Sequence, residues 1–400
     1  MNAAAAAPAD AAAALARARW ALLFGNFAIG CGVMVTAGTL NDLARSLQVS
    51  VPVAGQLISV AAVVIALGAP LAAAVVAGFD RRRLLAWSLV WYALGHALCA
   101  LMPGYAALMP VRAIAVLAAA VFSPQAAAAI AVMAPPEQRG RAITFVFLGW
   151  SLASVAGMPL AAWIGETLGW RAAFAGVAAL AAAGAWAVWR AMPDGVRPPA
   201  MSRAGWAQVA THPALLAMVA VTLFSASGQF TLFAYLAPYY RQVLEAGAAQ
   251  VSGLFFAFGA LGVAGNVWLS RRIDRLGAPR LVLATLALMA TSLLLWPLGT
   301  GLASMLLVIA PWGLACFASN SAQQVRLSLA APALAPALVA LNTSAMYSGQ
   351  ALGAIGGGAL LAGGGFGQLH WVGLAWLLAA MGLSLWAGAA LARRPVAQHG

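Results

Sequence analysis

The sequence has no lysine, and only eight acidic residues, four histidines and three cysteines in 400 positions. Each scarcity excludes something. No His, Cys and carboxylate set has metal-ligand spacing, and no H-E-x-x-H, G-x-S-x-G or Walker-type run occurs, so neither an enzyme nor a metal site is expected. Cys31, Cys99 and Cys316 all fall within apolar runs, which suggests no disulfide framework and reads as small packing residues. Charged residues are 7% of the chain, against roughly 25% in an ordinary soluble domain. A surface wetted on every side is therefore excluded.

What is present is a series of apolar runs. Twelve fall at 19–41, 53–77, 84–102, 105–132, 142–165, 171–190, 214–238, 249–269, 279–298, 302–325, 333–361 and 369–391. Runs of about 20 such residues cross a bilayer as helices, because in hydrocarbon each backbone polar group must be satisfied within its own segment. The expected fold class is an all-α membrane protein with 12 transmembrane helices. Connections are short except 191–213, containing MPDGVRPPAMSRAG, which divides the chain into a bundle at 19–190 and a second at 214–392. Residues 1–18 and 393–400 are expected to be tails, the first disordered and cytoplasmic. In MNAAAAAPADAAAALARAR the arginines follow the apolar part, the reverse of a cleavable signal peptide.

The net charge of +13 is not matched by a basic domain, so nucleic acid is not an expected partner. With the N-terminus in the cytoplasm, 17 of the 21 arginines fall on cytoplasmic segments, only Arg45, Arg171 and Arg241 fall outside, and Arg112 lies within a span. That bias places both termini inside, in a cytoplasmic membrane of bacterial type.

The two halves repeat. Asp80-Arg81, in VVAGFDRRRLLAW between the second and third spans, recurs as Asp274-Arg275 in WLSRRIDRLGAPR after the eighth. The fifth and eleventh spans both carry glycines: Gly149, Gly157 and Pro159 in GWSLASVAGMP, against Gly349, Gly353 and Gly356 to Gly358 in SGQALGAIGGG. Two such halves with an Asp-Arg loop in each resemble the major facilitator superfamily, whose fold is two six-helix bundles related by pseudo-two-fold symmetry. DRRR at 80–83, PVRAIAVLAAAVFSPQAAA around Arg112, PPEQRGRA at 135–142, and GMP ahead of LGWRAAF resemble most the twelve-helix drug:proton antiporters, including sugar, nucleoside and drug efflux permeases.

The resemblance implies roles. Asp80 and Arg81, with Glu137, Arg139 and Arg141, would form a cytoplasmic gate, and Asp274 and Arg275 its second copy. The family pattern has glycines flanking the Asp where this chain has Val76 and Arg83; the second copy has Ser270 and keeps Gly277. Arg112 would take part in proton coupling, since an Arg inside a span faces a partner or cavity and can hold an acid ionised. Snorkelling to the interface is the plainer alternative. Asp42, at the external end of the first span, is the acid within reach. Many of these permeases carry a Glu in the middle of the first helix, where this chain has Val33. His96 is the central imidazole, able either to carry a proton or to pack through hydrogen bonds. Gly149, Gly157 and Pro159 would form the antiporter motif at the contact with the second half.

A midplane cavity would draw polar groups from Asn26, Gln125, Trp150, Gln229, Tyr235 and Phe256, and from Trp312, Asn320, Asn342, Tyr347 and Gln350. Their neutrality fits an uncharged polar or amphipathic ligand. The expectation is a monomeric efflux transporter for a drug, nucleoside or sugar derivative, working by alternating access in the lipid bilayer. It would use no cofactor beyond a proton gradient. A facilitator or importer of the same fold, or a non-transporting membrane receptor, remains open.

Overall fold

The computed structural model describes residues 3–76, 78–135, 138–197 and 203–393. The first half comprises α1 (Ala3–Gly38), α2 (Leu40–Ser46), α3 (Val51–Val75), α4 (Arg81–Leu101), α5 (Tyr105–Ala115), α6 (Leu117–Met133), α7 (Arg139–Leu152), α8 (Met158–Thr167) and α9 (Trp170–Ala191). After α10 (Arg203–Thr211) come α11 (Pro213–Phe233), α12 (Leu236–Gln242), α13 (Ala248–Leu276), α14 (Ala278–Leu294), α15 (Leu302–Ala330), α16 (Ala335–Gly364) and α17 (Leu369–Arg393). Among the described residues, ten helical stretches are long and apolar enough to cross a membrane. The shorter α14 and the glycine-rich α16 occupy the places of the expected ninth and eleventh spans.

Breaks in these helices follow the side chains. Ser50 accepts a hydrogen bond from the Val53 amide and Pro52 stands in the first turn, so α3 starts there. Pro159 has no amide proton and its ring crowds the preceding turn. The fifth span accommodates it with a π-helical turn, Ala153–Gly157, between α7 and α8. At the other extreme the alanines of the expected tail favour helix, and α1 reaches back to Ala3 instead of beginning near residue 19. The connection 191–213 likewise contains α10 rather than loop alone.

Two large buried clusters correspond to the halves. One is built from residues 18–196 with Tyr347 and Ala351 added from α16. The other centres on 221–380 and takes in Ala37, Leu40, Ala54, Ile58, Met158 and Ala162 from the first half. Large apolar side chains such as Leu71, Trp87, Leu94, Trp186, Leu307 and Trp386 are exposed on the outside, where a bilayer is the solvent that suits them.

Glycine sets how closely the helices approach. A Cβ on Gly149 would lie within 3.0 Å of Leu23 O and Phe27 N of α1, and one on Gly349 would meet Leu223 O and Ser227 N of α11 equally closely. The same backbone-to-backbone contact is thus made in both halves, and Gly353 and Gly357 repeat it along α11, which gives the sequence repeat a structural meaning. Gly349→Val is expected to destabilise the protein by about 1–3 kcal/mol, measured as a lowered unfolding midpoint in detergent. An unchanged midpoint would contradict the close approach.

Candidate functional site

Arg112 is fully buried. Its Nη1 lies 2.8 Å from His96 Nε2, and its Nη2 donates to Gly32 O at 2.8 Å and Val33 O at 3.5 Å. His96 Nδ1 lies 2.9 Å from Tyr92 O. A guanidinium can only donate and a carbonyl can only accept, so His96 is the neutral tautomer with its proton on Nδ1. Tyr92 stacks beside the imidazole, with centroids 4.2 Å apart, and donates to Ile29 O at 3.0 Å. Phe174 lies against both, 5.8 Å from the His96 ring and 5.6 Å from the Arg112 guanidinium.

The structure does not bring Asp42 to Arg112. Asp42 accepts from Arg45 at 3.0 Å and from the Trp170 amide at 2.7 Å, at the head of α9, and this hydrogen bond holds the Arg45 guanidinium above its ordinary range. Asp42 is coupled to Arg112 only through packing, since Trp170 stacks on Phe174 at 5.5 Å. The reason is positional. Asp42 lies on α2, beyond the break at Thr39, where exposed partners are nearer than the buried guanidinium.

One turn of α1 links this cluster to a central cavity. Val33, whose carbonyl meets Arg112, also lines an enclosed cavity of about 40 Å³ between the halves. Met34, Ile58, Ile65, Phe230 and Phe233 supply most of the wall, while Trp150, Tyr347 and Gln350 supply its polar groups. No charged residue lines it. The volume holds water but not an organic molecule, for which pockets run to roughly 300–1,000 Å³.

At the end of the fold opposite the Asp80 loop, Tyr235 fills the seam between the halves. Its hydroxyl donates to Ala354 O at 2.6 Å, and its ring fills the space left by Gly55 of α3 and Gly358 of α16. Beyond it, Glu166 meets Arg241 of the second half at 3.5 Å and Arg45 at 3.9 Å, and Ser252 donates to Pro159 O at 2.7 Å. Toward the other side, Ser344 donates to Ala66 O at 2.5 Å. Glu166 and Arg241 escaped the sequence reading because nothing in the chain order pairs them.

Several contacts of the Asp-Arg loop lie within the first half. Asp80 caps α4 through the Arg83 amide and accepts from the Gly195 amide at 2.6 Å; Gly195 has φ +83, a conformation that suits glycine. The Arg81 amide donates to Val196 O, its guanidinium donates to Val76 O and Phe79 O, and Arg82 pairs with Asp194 at 2.6 Å. These partners belong to the loop itself and to the end of the sixth span, all on the first half. Arg275 is exposed. Glu137 lies outside the described residues, as do the side chains of Arg139, Arg141 and Asp274.

The remaining candidates divide. Asn26 accepts from Ser123 at 2.6 Å and donates to Val146 O, joining three helices, and Trp150 donates to the same Ser123. Gln229 accepts from Trp312 at 3.1 Å; Asn342 donates to Asn320 and accepts from Thr222. Gln125 is buried on α6, away from the cavity. Tyr235 belongs to the seam between the halves rather than to the cavity lining. Phe256 is 55% exposed on a stripe of α13 shared with Val267 and Trp268, so it faces outward. The π turn with Ser154 and Val155 meets α13 at Gly259, and Gly157 packs on Cys31, so the GMP stretch sits at both helix contacts. Arg326, counted with the cytoplasmic arginines, is instead buried and donates to the Ser384 hydroxyl and carbonyl on α17.

Two pseudo-symmetric helical halves around a closed, uncharged cavity define a membrane transporter rather than an enzyme. Residues 22–354 match the family described as Major Facilitator Superfamily, and the chain belongs to that family. It is 30% identical to the inner membrane transport protein YdhP of Escherichia coli O157:H7, over 86% of this chain and 88% of the relative. A probable sugar efflux transporter of Mannheimia succiniciproducens is 28% identical over 85% of this chain and 84% of its own. A chloramphenicol resistance protein of Streptomyces lividans is 34% identical over 64% and 67%. Among solved structures, the human organic anion transporter MFSD10 superposes with a TM-score of 0.74 at 17% identity, covering 94% of this chain and 99% of that one. The all-α membrane fold class of the sequence reading stands, with ten helical stretches of spanning length and the shorter apolar α14 among the described residues.

His96→Ala leaves a buried Arg112 donor without its acceptor and is expected to cost about 1–3 kcal/mol. His96→Gln, whose amide oxygen can accept, is expected to restore part of it. Thermal unfolding of the three proteins reads the difference.

Proposed function

We propose that the chain exports small neutral or amphipathic organic molecules by alternating access, in exchange for protons, and that aromatic drug-like compounds suit it better than sugars. The cavity lining carries this reading. Apolar and aromatic walls with only a phenol, an amide and an indole as polar groups suit a ligand making few hydrogen bonds, whereas a sugar would leave many hydroxyls unpaired. A bare cation would find no counter-charge there. The name of the chloramphenicol resistance relative is consistent with this choice, and the sugar efflux relative keeps the sugar reading as its competitor.

Proton coupling is assigned to Arg112 and His96, with Asp42 in support through Trp170. Nε2 of His96 is occupied by Arg112, so the imidazole can take a proton only when Arg112 releases it. That release would free the Gly32 and Val33 carbonyls and loosen α1 beside the cavity. The cytoplasmic gate would be completed by the Asp80 loop, Arg139, Arg141, Asp274 and Arg275 once the halves rock. Both termini are assigned to the cytoplasm, with bundles 19–190 and 214–392 moving as units in a single chain. The specific observation favouring the uncoupled alternative is Val33, since no carboxylate faces the cavity.

In proteoliposomes with an imposed pH gradient, the protein is expected to accumulate chloramphenicol at least about tenfold faster than a neutral hexose, the effect of one or two unmet hydrogen bonds. Gln350→Ala is expected to slow chloramphenicol by a similar factor. Arg112→Ala is expected to abolish the response to the gradient while downhill flux persists. Equal transport with and without the gradient would leave the uncoupled facilitator, and faster hexose transport would overturn the drug-like reading.

A further inference from the structure

A groove of about 460 Å³ runs along the outside of the first half between α1 and α9, lined by Arg17, Trp20, Phe24, Ala187 and Arg190 among others. It lies at the end of the fold that the arginine bias assigns to the cytoplasm, because the start of α1 and the end of α9 share that side with the Asp80 loop. We propose that this groove binds an anionic phospholipid, with the phosphate held between Arg17 and Arg190 and the head of an acyl chain lying along Trp20 and Phe24.

Charge complementarity argues for an anion. Arg17 and Arg190 are both exposed, and neither forms an ion pair among the described residues. The nearby carboxylate of Asp194 is bonded to Arg82 at 2.6 Å, and Arg82 also donates to Trp189 O, which turns that pair toward α4 and away from the groove. Arg19 is engaged elsewhere too, 4.6 Å over the Phe145 ring of α7. Arg190 rests 5.8 Å over the Trp186 ring, a looser contact, and among the described residues neither it nor Arg17 has a carboxylate partner where lipid phosphates lie.

The walls argue for a lipid rather than a free anion. From Arg17 to Phe24 the helix rises about 10 Å, the depth from headgroup into the first carbons of an acyl chain, and the surface there is apolar. Trp20 and Trp186 are 60% and 67% exposed beside it, as expected of indoles placed at the interface. Gly184 stands against the Gly25 backbone, so α1 and α9 touch closely behind the groove and give it a fixed floor. The site is separate from the cavity and does not depend on the transport reading.

The test is native mass spectrometry of the full chain in detergent, titrated with dioleoyl phosphatidylglycerol and dioleoyl phosphatidylcholine. The parent is expected to prefer phosphatidylglycerol, and Arg17→Gln/Arg190→Gln to lose about tenfold of that preference. Arg271→Gln/Arg272→Gln, which removes the same charge from exposed positions on α13, is expected to keep it. Ala187→Trp, which fills the groove and leaves the charges, is expected to lose it as well, and so carries the test if the double arginine variant does not fold. Inorganic phosphate at millimolar concentration is expected not to compete. No preference in the parent, retention in both groove variants, equal loss in the α13 variant, or competition by inorganic phosphate would each overturn the proposal.

Discussion

A guanidinium inside a membrane-spanning bundle has to be met by acceptors, and among the described residues the usual one, a carboxylate, is not bonded to Arg112. The protein meets it with neutral groups: the imidazole of His96 and two carbonyls of α1. Such an arrangement keeps the positive charge uncompensated, so it depends on hydrogen bonds that are individually modest and collectively hard to do without. Helices α1, α4 and α5 are held in register by it, and Phe174 of α9 closes its last side. Tyr92 extends the network to Ile29, so about one turn of α1, from Ile29 to Val33, is anchored from α4 and α5.

Everything else in the first half is arranged around α1. Gly149 and Gly157 bring α7 and the π turn against its opposite side, Asn26 ties it to α6, and Val33 shows one face to the cavity and its carbonyl to Arg112. A shift of α1 is therefore felt both at the charge and at the cavity wall, which is the physical basis for connecting a proton to a ligand. The second half repeats the glycine contact between α11 and α16 but replaces the charge by aromatic packing, with Trp296 and Trp312 centroids 6.3 Å apart. Each half nonetheless holds a buried arginine, Arg112 met by His96 in the first and Arg326 met by Ser384 in the second. Tyr235 joins the halves at the end opposite the Asp80 loop, where the surface ion pairs add less than the ring's burial between two glycines.

Much of the architecture was legible in the sequence because lipid leaves few choices. Apolar runs of spanning length, the arginine bias and the repeated Asp-Arg loop gave the fold class, and the glycines of the fifth and eleventh spans gave its tightest contacts. Arg112 and His96 were legible as costly polar groups within spans, but their pairing was not, because helix rotation decides it and a single sequence carries rotation weakly. Asp42 was assigned to Arg112 for want of another acid; the break at Thr39 turned it toward Trp170 instead. Of the eleven cavity candidates only Trp150, Tyr347 and Gln350 line it. Amides such as Asn26 and Asn342 found partners on neighbouring helices, which in hydrocarbon is the commoner fate. Phe256 was taken for a cavity residue although its stripe on α13 is apolar, and an apolar stripe equally well faces lipid.

The central claim is that Arg112 is held by a neutral His96 whose proton sits on Nδ1. Nitrogen-15 NMR of the side chain of His96, assigned by comparison with His96→Gln and recorded at neutral pH, tests it directly. The account predicts a protonated Nδ1, a deprotonated Nε2 that accepts from Arg112, and loss of that coupling in Arg112→Ala. An imidazolium, or a proton on Nε2, would contradict it.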